Sequence, residues 1–208
     1  MTGLGAGRPA ADGPRAPRLR REEMTERQRE LHDRFTTGPR ADPSNPFRLH
    51  DDEGFLTGPP SAWVLSPEIG HALERLGGEM RWGIRPSGPT REAVIPAVAH
   101  HEGSPFELFA HEPAGRAEGL DDEDLAALRA GRAPAGATEE TRVAHALAIE
   151  LLRTRGISEE TWAEADRVLG RPAVFEVVTL VGYYQMLALA LAAFEILPPR
   201  PPSDSPPV

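Results

Sequence analysis

Residues 91–111 read REAVIPAVAHHEGSPFELFAH, and this stretch contains the pattern that decides the fold. Two apolar runs with helical spacing, 91–99 and 104–111, are separated by a break at Glu102-Gly103. A Ser-Pro pair opens the second run, which is typical of a helix start because serine can cap the helix and proline is tolerated in its first turn. The stretch therefore predicts two consecutive helices that can pack antiparallel across the break.

Capping residues followed by apolar positions three or four apart recur along the rest of the chain. Thr138 and Ser158, for example, are each followed by two glutamates, which favour the N-terminus of a helix. No convincing alternating segment of useful length is present, so we predict an all-α fold. The predicted helices cover residues 22–35, 66–76, 89–99, 104–111, 120–130, 138–154, 158–169 and 171–197.

The two ends of the chain differ in composition from the middle. Residues 1–21 are rich in proline, glycine and arginine, and residues 198–208 are rich in proline. Both ends have too few large apolar residues to form a core, so they are predicted to be disordered. The helical domain is predicted to span residues 22–197.

Charge and the absence of cysteine exclude several classes of function. The 208 residues include 23 Lys and Arg against 32 Asp and Glu, a net charge of −9, and such a surface repels nucleic acids and anionic membranes. Without cysteine the chain has no disulfide, thiolate nucleophile or cysteine-bound zinc. Residues 3–21 lack the apolar core of a signal peptide, so we expect a cytoplasmic protein.

Residues 177–194 are free of charge, and their length makes a short membrane span conceivable. Glu176 and Glu195 border the segment, and Gly182 and Gln185 lie near its middle. These residues favour a buried helix of a helical bundle over a membrane span.

The candidate functional residues lie on the two helices of the opening stretch. Ser104, Glu107 and His111 are spaced i, i+3 and i+7, so they share one helix face. Glu92 lies on the preceding helix and can approach them if the helices pack antiparallel. Because a buried His or Glu is costly unless it is paired or functional, this cluster predicts a site. The alternative is that Glu107 and His111 form a surface pair of little consequence.

His100 and His101 are adjacent, so they point in different directions and at most one of them is expected to face the site. His101-Glu102 is not followed by a second histidine at the spacing of a zinc-binding helix. No metal-ligand spacing is matched elsewhere, so we expect no metal.

The run from Arg91 to Glu112 resembles the core motif of the carboxymuconolactone decarboxylase family, whose superfamily also contains the alkylhydroperoxidase D-like proteins. Segments 56–67, 151–154 and 177–195 resemble other parts of the family pattern, and the resemblance covers residues 22–198. It implies an alkylhydroperoxidase D-like helical bundle that assembles into a homo-oligomer, as a dimer, trimer or hexamer.

In the peroxidase branch of that superfamily, the motif is a Glu followed by Cys-x-x-Cys-x-x-x-His. Glu92 and His111 match its Glu and His, whereas Ser104 and Glu107 stand at the two cysteine positions. A hydroxyl and a carboxylate cannot cycle between dithiol and disulfide, so thiol peroxidase activity is excluded.

The resemblance to the decarboxylase branch implies a cofactor-free enzyme that acts on a small carboxylated lactone or a related unsaturated organic acid. It implies proton transfer by His111, held by Glu107, with Glu92 or His101 as a second proton carrier. Leu108 stands where the family usually has an aromatic residue. This departure affects the expected substrate more than the fold.

Three further residues are expected to contact the substrate in this interpretation. Arg91 is a candidate to bind the substrate carboxylate, and Ser104 and Tyr183 are candidates to line the pocket. A second interpretation is a ligand-binding or structural oligomer that keeps the fold without catalysis. Solvent-exposed positions for Glu107 and His111 would favour this second interpretation.

Overall fold

The computed structural model describes residues 15–42, 45 and 47–199, and over these residues the protein is all-α, as predicted. Two short 3-10 turns, Arg21–Glu23 and Pro39–Ala41, accompany the helices, and His50 and Leu56 form an isolated antiparallel bridge. The helices are α1 (Glu26–Thr36), α2 (Pro59–Trp63), α3 (Pro67–Trp82), α4 (Gly88–Glu102), α5 (Pro105–Ala117), α6 (Asp122–Arg129), α7 (Glu139–Thr154), α8 (Glu159–Val168) and α9 (Gly170–Ala193).

Helix α4 is the centre of the bundle, because it packs against α5, α6, α7 and α9. All of residues 92–99 are buried, which is the property of a helix that is apolar on every side. Pro96 lies inside α4, and the helix continues through it to Glu102.

Side-chain caps determine where several helices begin. The side chains of Thr138 and Ser158 each accept a hydrogen bond from the backbone N–H three residues later, as the sequence indicated. The predicted start of the first helix at residue 22 is wrong. Thr25 caps α1 in a reciprocal pair of hydrogen bonds with Gln28, so the helix begins at Glu26.

Residues 15–21 lie against the helical domain, although the sequence placed them in a disordered tail. Arg15 donates a hydrogen bond of 2.9 Å to the carbonyl of Ala193, and the Arg18 guanidinium lies 4.1 Å from the centre of the Phe55 ring. Arginine side chains thus attach a segment that has few apolar residues of its own. Of the predicted tails, residues 1–14 and 200–208 lie outside the described residues.

Helix α9 is long and apolar enough to cross a membrane by length and composition, with a mean hydropathy of 1.6 over its most apolar window. However, 44% of that window is buried inside the protein, where Val177, Leu180 and Val181 belong to the main core. We therefore interpret α9 as a core helix. Phe175 and Leu189 on its other side are 70% and 65% exposed.

Helices α3 and α9 approach closely at Gly77, which has room for no side chain. A Cβ atom at this position would overlap the Tyr183 hydroxyl, which donates a hydrogen bond of 3.1 Å to the carbonyl of Leu73. The glycine therefore lets α9 bring Tyr183 against α3, and this contact forms one side of the cavity described next.

Candidate active site

The turn between α4 and α5 brings the predicted polar residues together. Gly103 ends α4 in the left-handed conformation, with φ of 63°, which glycine adopts without steric cost. The following N–H, that of Ser104, bonds to the carbonyl of Ala99 at 2.8 Å and closes the turn. The chain reverses here, so Glu92 and His111, 19 residues apart in sequence, are in contact.

Glu92 and His111 form a buried, hydrogen-bonded pair with 2.8 Å between Oε2 and Nδ1. Both residues are almost inaccessible, at 1% and 3%. Burial alone would raise the pKa of Glu92, but His111 and Arg91 together hold it below its ordinary value. A carboxylate can only accept hydrogen bonds, so Nδ1 of His111 carries a proton and Nε2 faces away from Glu92.

Glu107 lies on the other side of the imidazole, with 3.5 Å between its Oε2 and Nε2 of His111. It is 3% exposed, and its Oε1 has no hydrogen-bond partner within the described part of the chain. Burial raises the pKa of Glu107 to about 7, although His111 opposes the shift. The surface-pair alternative is therefore wrong, because Glu107 and His111 are both buried and Glu107 is largely protonated below neutral pH.

Glu107 and His111 line a small, partly open cavity between α3, α5 and α9, with a volume of about 50 Å³. The His111 ring is held between two aromatic rings, with centroid distances of 5.1 Å to Tyr184 and 5.7 Å to Phe47. The aromatic residues of the wall are Phe35, Phe47, Trp63, Phe106, Tyr183 and Tyr184, and its charged or titratable residues are Arg40, Arg81, Glu107 and His111.

Tyr183 and Tyr184 close the cavity from α9, but their hydroxyl groups do not serve as bases at neutral pH. Burial raises the pKa of both phenols, so both stay protonated at neutral pH. The hydroxyl of Tyr183, which the sequence placed at the substrate, is engaged with the Leu73 carbonyl. The Tyr183 ring therefore contributes shape to the wall.

The structure places His101 away from this cavity, which corrects its assignment as a proton carrier. His100 and His101 are both exposed, because they lie in the last turn of α4, beyond the buried residues 92–99. Sequence spacing could not show this, since the end of the buried part of α4 depends on where α5 and α9 cross it.

Arg91 does not line the cavity either, so its assignment to a substrate carboxylate is also corrected. Its guanidinium donates to Glu92 Oε1 at 3.1 Å, to the Arg81 carbonyl at 3.0 Å and to Glu118 Oε1 at 2.8 Å. Because its guanidinium is bound to these three acceptors, Arg91 holds the Glu92 carboxylate in place from outside the cavity.

Ser104 is buried but belongs to a different surface. It lies in a groove formed with residues such as Glu102, Leu191 and Ile196, on another face of α5 from the cavity. Its Oγ finds no hydrogen-bond partner within the described residues. The predicted stripe of Ser104, Glu107 and His111 therefore divides, and only the last two residues share the cavity.

Two charged residues of the cavity wall, Arg40 and Arg81, were missed by sequence reasoning. Arg40 follows α1 in the Pro39–Ala41 turn and Arg81 is the penultimate residue of α3. Neither position has a spacing signal that links it to Glu107, because the contact depends on how α1 and α3 pack. In the portion of the chain that the structure describes, no group of three or more His, Asp or Glu side chains is placed to hold a metal ion.

Comparison with known proteins agrees with the helical architecture and the position of the motif. The model of the carboxymuconolactone decarboxylase family matches residues 67–150, a segment that begins with α3, extends into α7 and includes Glu92, Glu107 and His111. No curated protein matches the chain. Residues 67–150 are thus similar to the carboxymuconolactone decarboxylase family, whose members have the alkylhydroperoxidase D-like helical fold.

Proposed function

We propose that this protein is a cofactor-independent, proton-transfer enzyme that removes CO2 from a small carboxylated lactone or a related unsaturated acid. The observation that carries the proposal is a buried carboxyl group, Glu107, that lines a cavity and lies 3.5 Å from His111 Nε2, and burial raises its pKa to about 7. Glu92 fixes the same imidazole from the opposite side. The similarity of residues 67–150 to the carboxymuconolactone decarboxylase family supports the same reaction class.

In the proposed reaction, Glu107 is the acid and His111 replaces its proton. Breaking the bond to the carboxylate releases CO2 and leaves the bonding electron pair on carbon, delocalised over the unsaturated acid. Glu107 gives its proton to that carbon and becomes a carboxylate. A proton from solvent then returns through Nε2 of His111, whose cationic form Glu92 stabilises.

Two features of the chain limit the reactions that it can catalyse and the size of its substrate. A thiol peroxidase reaction needs a redox-active cysteine pair, and the sequence contains no cysteine. The cavity of about 50 Å³ holds only a few water molecules, so the substrate has to be small or has to extend out of its open side.

The test is the release of CO2 from carboxymuconolactone by the full chain, with deuterium uptake by the product in D2O as a second readout. We expect His111→Ala to lower the rate at least ~100-fold, the usual contribution of a positioned acid or base, and to retain the helical circular dichroism spectrum. His101→Ala is the matched control and should keep the native rate, since His101 is exposed. A native rate in His111→Ala, or no turnover by the native chain, contradicts the proposal.

We also propose that the protein is a homo-oligomer that associates through the outer face of α9. Phe175, Val178 and Leu189 are exposed on that face, and apolar groups of this size are commonly covered by a partner. Sedimentation of the 22.6 kDa chain should show a species larger than the monomer, and Phe175→Glu combined with Leu189→Glu should shift it toward the monomer. A native chain that sediments only as a monomer would exclude this assembly.

A further inference from the structure

Arg81 is a half-buried cation in the wall of the cavity that has no anionic partner of its own among the described residues. Its guanidinium lies 5.6 Å from the centre of the Phe47 ring and 5.7 Å from that of Trp82. Burial lowers the pKa of Arg81, which means that its charge has lost hydration. Arginine is nevertheless always charged in proteins, so the cavity contains a desolvated positive charge.

The other cation of the cavity wall is already paired. Arg40 lies 3.6 Å from Oε1 of Glu74 and donates to the Glu74 backbone carbonyl at 3.4 Å. It therefore has an anion beside it inside the protein, whereas Arg81 does not.

No carboxylate among the described residues forms an ion pair with Arg81, although the charge of Glu92 opposes the fall in the pKa of Arg81. Glu92 is engaged by His111 and Arg91, and Glu118 is engaged by Arg91. Glu107 shares the cavity with Arg81 but is largely uncharged below neutral pH. The charge that remains inside the cavity is positive, which suits an anionic ligand.

The remaining wall indicates what kind of anion fits. Phe35, Phe47, Trp63 and Tyr184 present aromatic surfaces, which favour a flat, unsaturated organic group. A guanidinium matches the planar geometry of a carboxylate and can bind both of its oxygens. A small unsaturated acid satisfies both the charge and the shape of the cavity.

We propose that Arg81 is the carboxylate-binding residue of this cavity and holds a carboxylate of a small, unsaturated organic acid, with the reacting carbon of that acid towards Glu107 and His111. This assignment rests on the proposed function for the direction of the ligand, but carboxylate binding itself can be measured without turnover. It replaces Arg91, whose guanidinium is fully engaged elsewhere.

The experiment is a binding titration of the full chain with 2-furoate, a flat unsaturated carboxylate, and with 2-furamide, its uncharged analogue. Calorimetry and ligand-observed NMR measure binding without any reaction. We expect 2-furoate to bind the native protein at least tenfold more tightly than 2-furamide, and Arg81→Gln to remove this preference. Arg81→Lys should restore part of it, because a cation is retained without the planar fork.

Arg75→Gln is the matched control, because it removes the same charge from an exposed position of α3 outside the cavity. It should leave 2-furoate binding unchanged. Thermal melting of Arg81→Gln and Arg81→Lys shows whether each variant is folded, and the lysine variant is the decisive one if the glutamine variant is not.

Three results would overturn the assignment: equal binding of 2-furoate by the native protein and the folded Arg81 variants, no binding of 2-furoate by the native protein, or equally tight competition by inorganic phosphate. The last would identify a general anion site. If 2-furoate binds through Arg81 while carboxymuconolactone is not turned over, the proposed reaction fails and the binding assignment stands.

Discussion

Near pH 8, Glu107→Gln is expected to raise the free energy of unfolding by about 3 kcal/mol, whereas near pH 4.5 the variant and the native chain should differ by less than ~1 kcal/mol. The cause is the burial of Glu107, which raises the pKa of its carboxyl group from 4.5 in the unfolded chain to about 7 in the folded protein. Glutamine has nearly the same shape and never ionises, so it removes the pH-dependent cost.

The direction follows from which state binds the proton. Below about pH 4.5 the Glu107 carboxyl is protonated in both the folded and the unfolded chain, so it contributes no difference. Between pH 4.5 and about 7 the unfolded chain releases the proton while the folded protein keeps it, so stability falls as the pH rises. Above about pH 7 both states are ionised and the full cost applies. His111 reduces this cost and Glu92 increases it.

Urea unfolding of the two proteins at several pH values measures the effect. Glu112→Gln, on the same helix, is the matched control with the opposite sign. The hydrogen bond from Arg129 lowers the pKa of Glu112, so this partly exposed carboxylate stabilises the protein at neutral pH and loses its effect as the pH falls. If Glu107→Gln destabilises the protein equally near pH 8 and near pH 4.5, Glu107 is not held protonated by burial.

The helices and their order could be predicted from sequence because their signals are local. Thr138, Ser158 and the Glu102-Gly103 break are signals that act within a few residues, and each marks a helix boundary in the structure. Thr25 was overlooked even though Thr25-x-x-Gln28 is also a local capping signal.

The candidate site was only partly predictable because it depends on packing between distant elements. The i, i+4 spacing of Glu107 and His111 correctly placed them on one face of α5. The same reasoning could not show that Arg91 would be used to hold Glu92, or that Arg81 would enter the cavity from α3. The sequence shows which residues are charged, but it does not show which partner each charged side chain has in the folded protein.

Glu74→Met is expected to lower the free energy of unfolding by about 3–5 kcal/mol, the usual result of removing one member of a buried ion pair. Glu74 is 5% exposed, and its carboxylate receives two hydrogen bonds from Arg34, at 3.1 Å and 3.3 Å, while Arg40 lies 3.6 Å away. Arg34 is half exposed and can return to water. Arg40 is mostly buried, so without Glu74 its charge has no partner, and that is the source of the cost.

A double-mutant cycle separates this explanation from simple loss of packing. Arg40→Met leaves Glu74 paired with Arg34, so it should cost less than Glu74→Met. The double variant, Glu74→Met with Arg40→Met, should recover at least half of the loss, because neither buried charge remains and methionine fills the space with apolar atoms.

Glu68→Met is the control for the cycle. Glu68 is on the same helix as Glu74, but it pairs with Arg27 of α1 on the exposed surface, where ion pairs contribute little to stability. Urea unfolding near pH 7 gives the free energies of unfolding of the native chain, the three variants of the cycle and Glu68→Met. If Glu74→Met costs no more than Glu68→Met, or if the double variant is less stable than either single variant, the unpaired charge of Arg40 is not the cause. Recovery in the double variant would show that the charges of Glu74 and Arg40 offset each other inside the protein, which leaves Arg81 as the cation of the cavity that is free to meet a ligand.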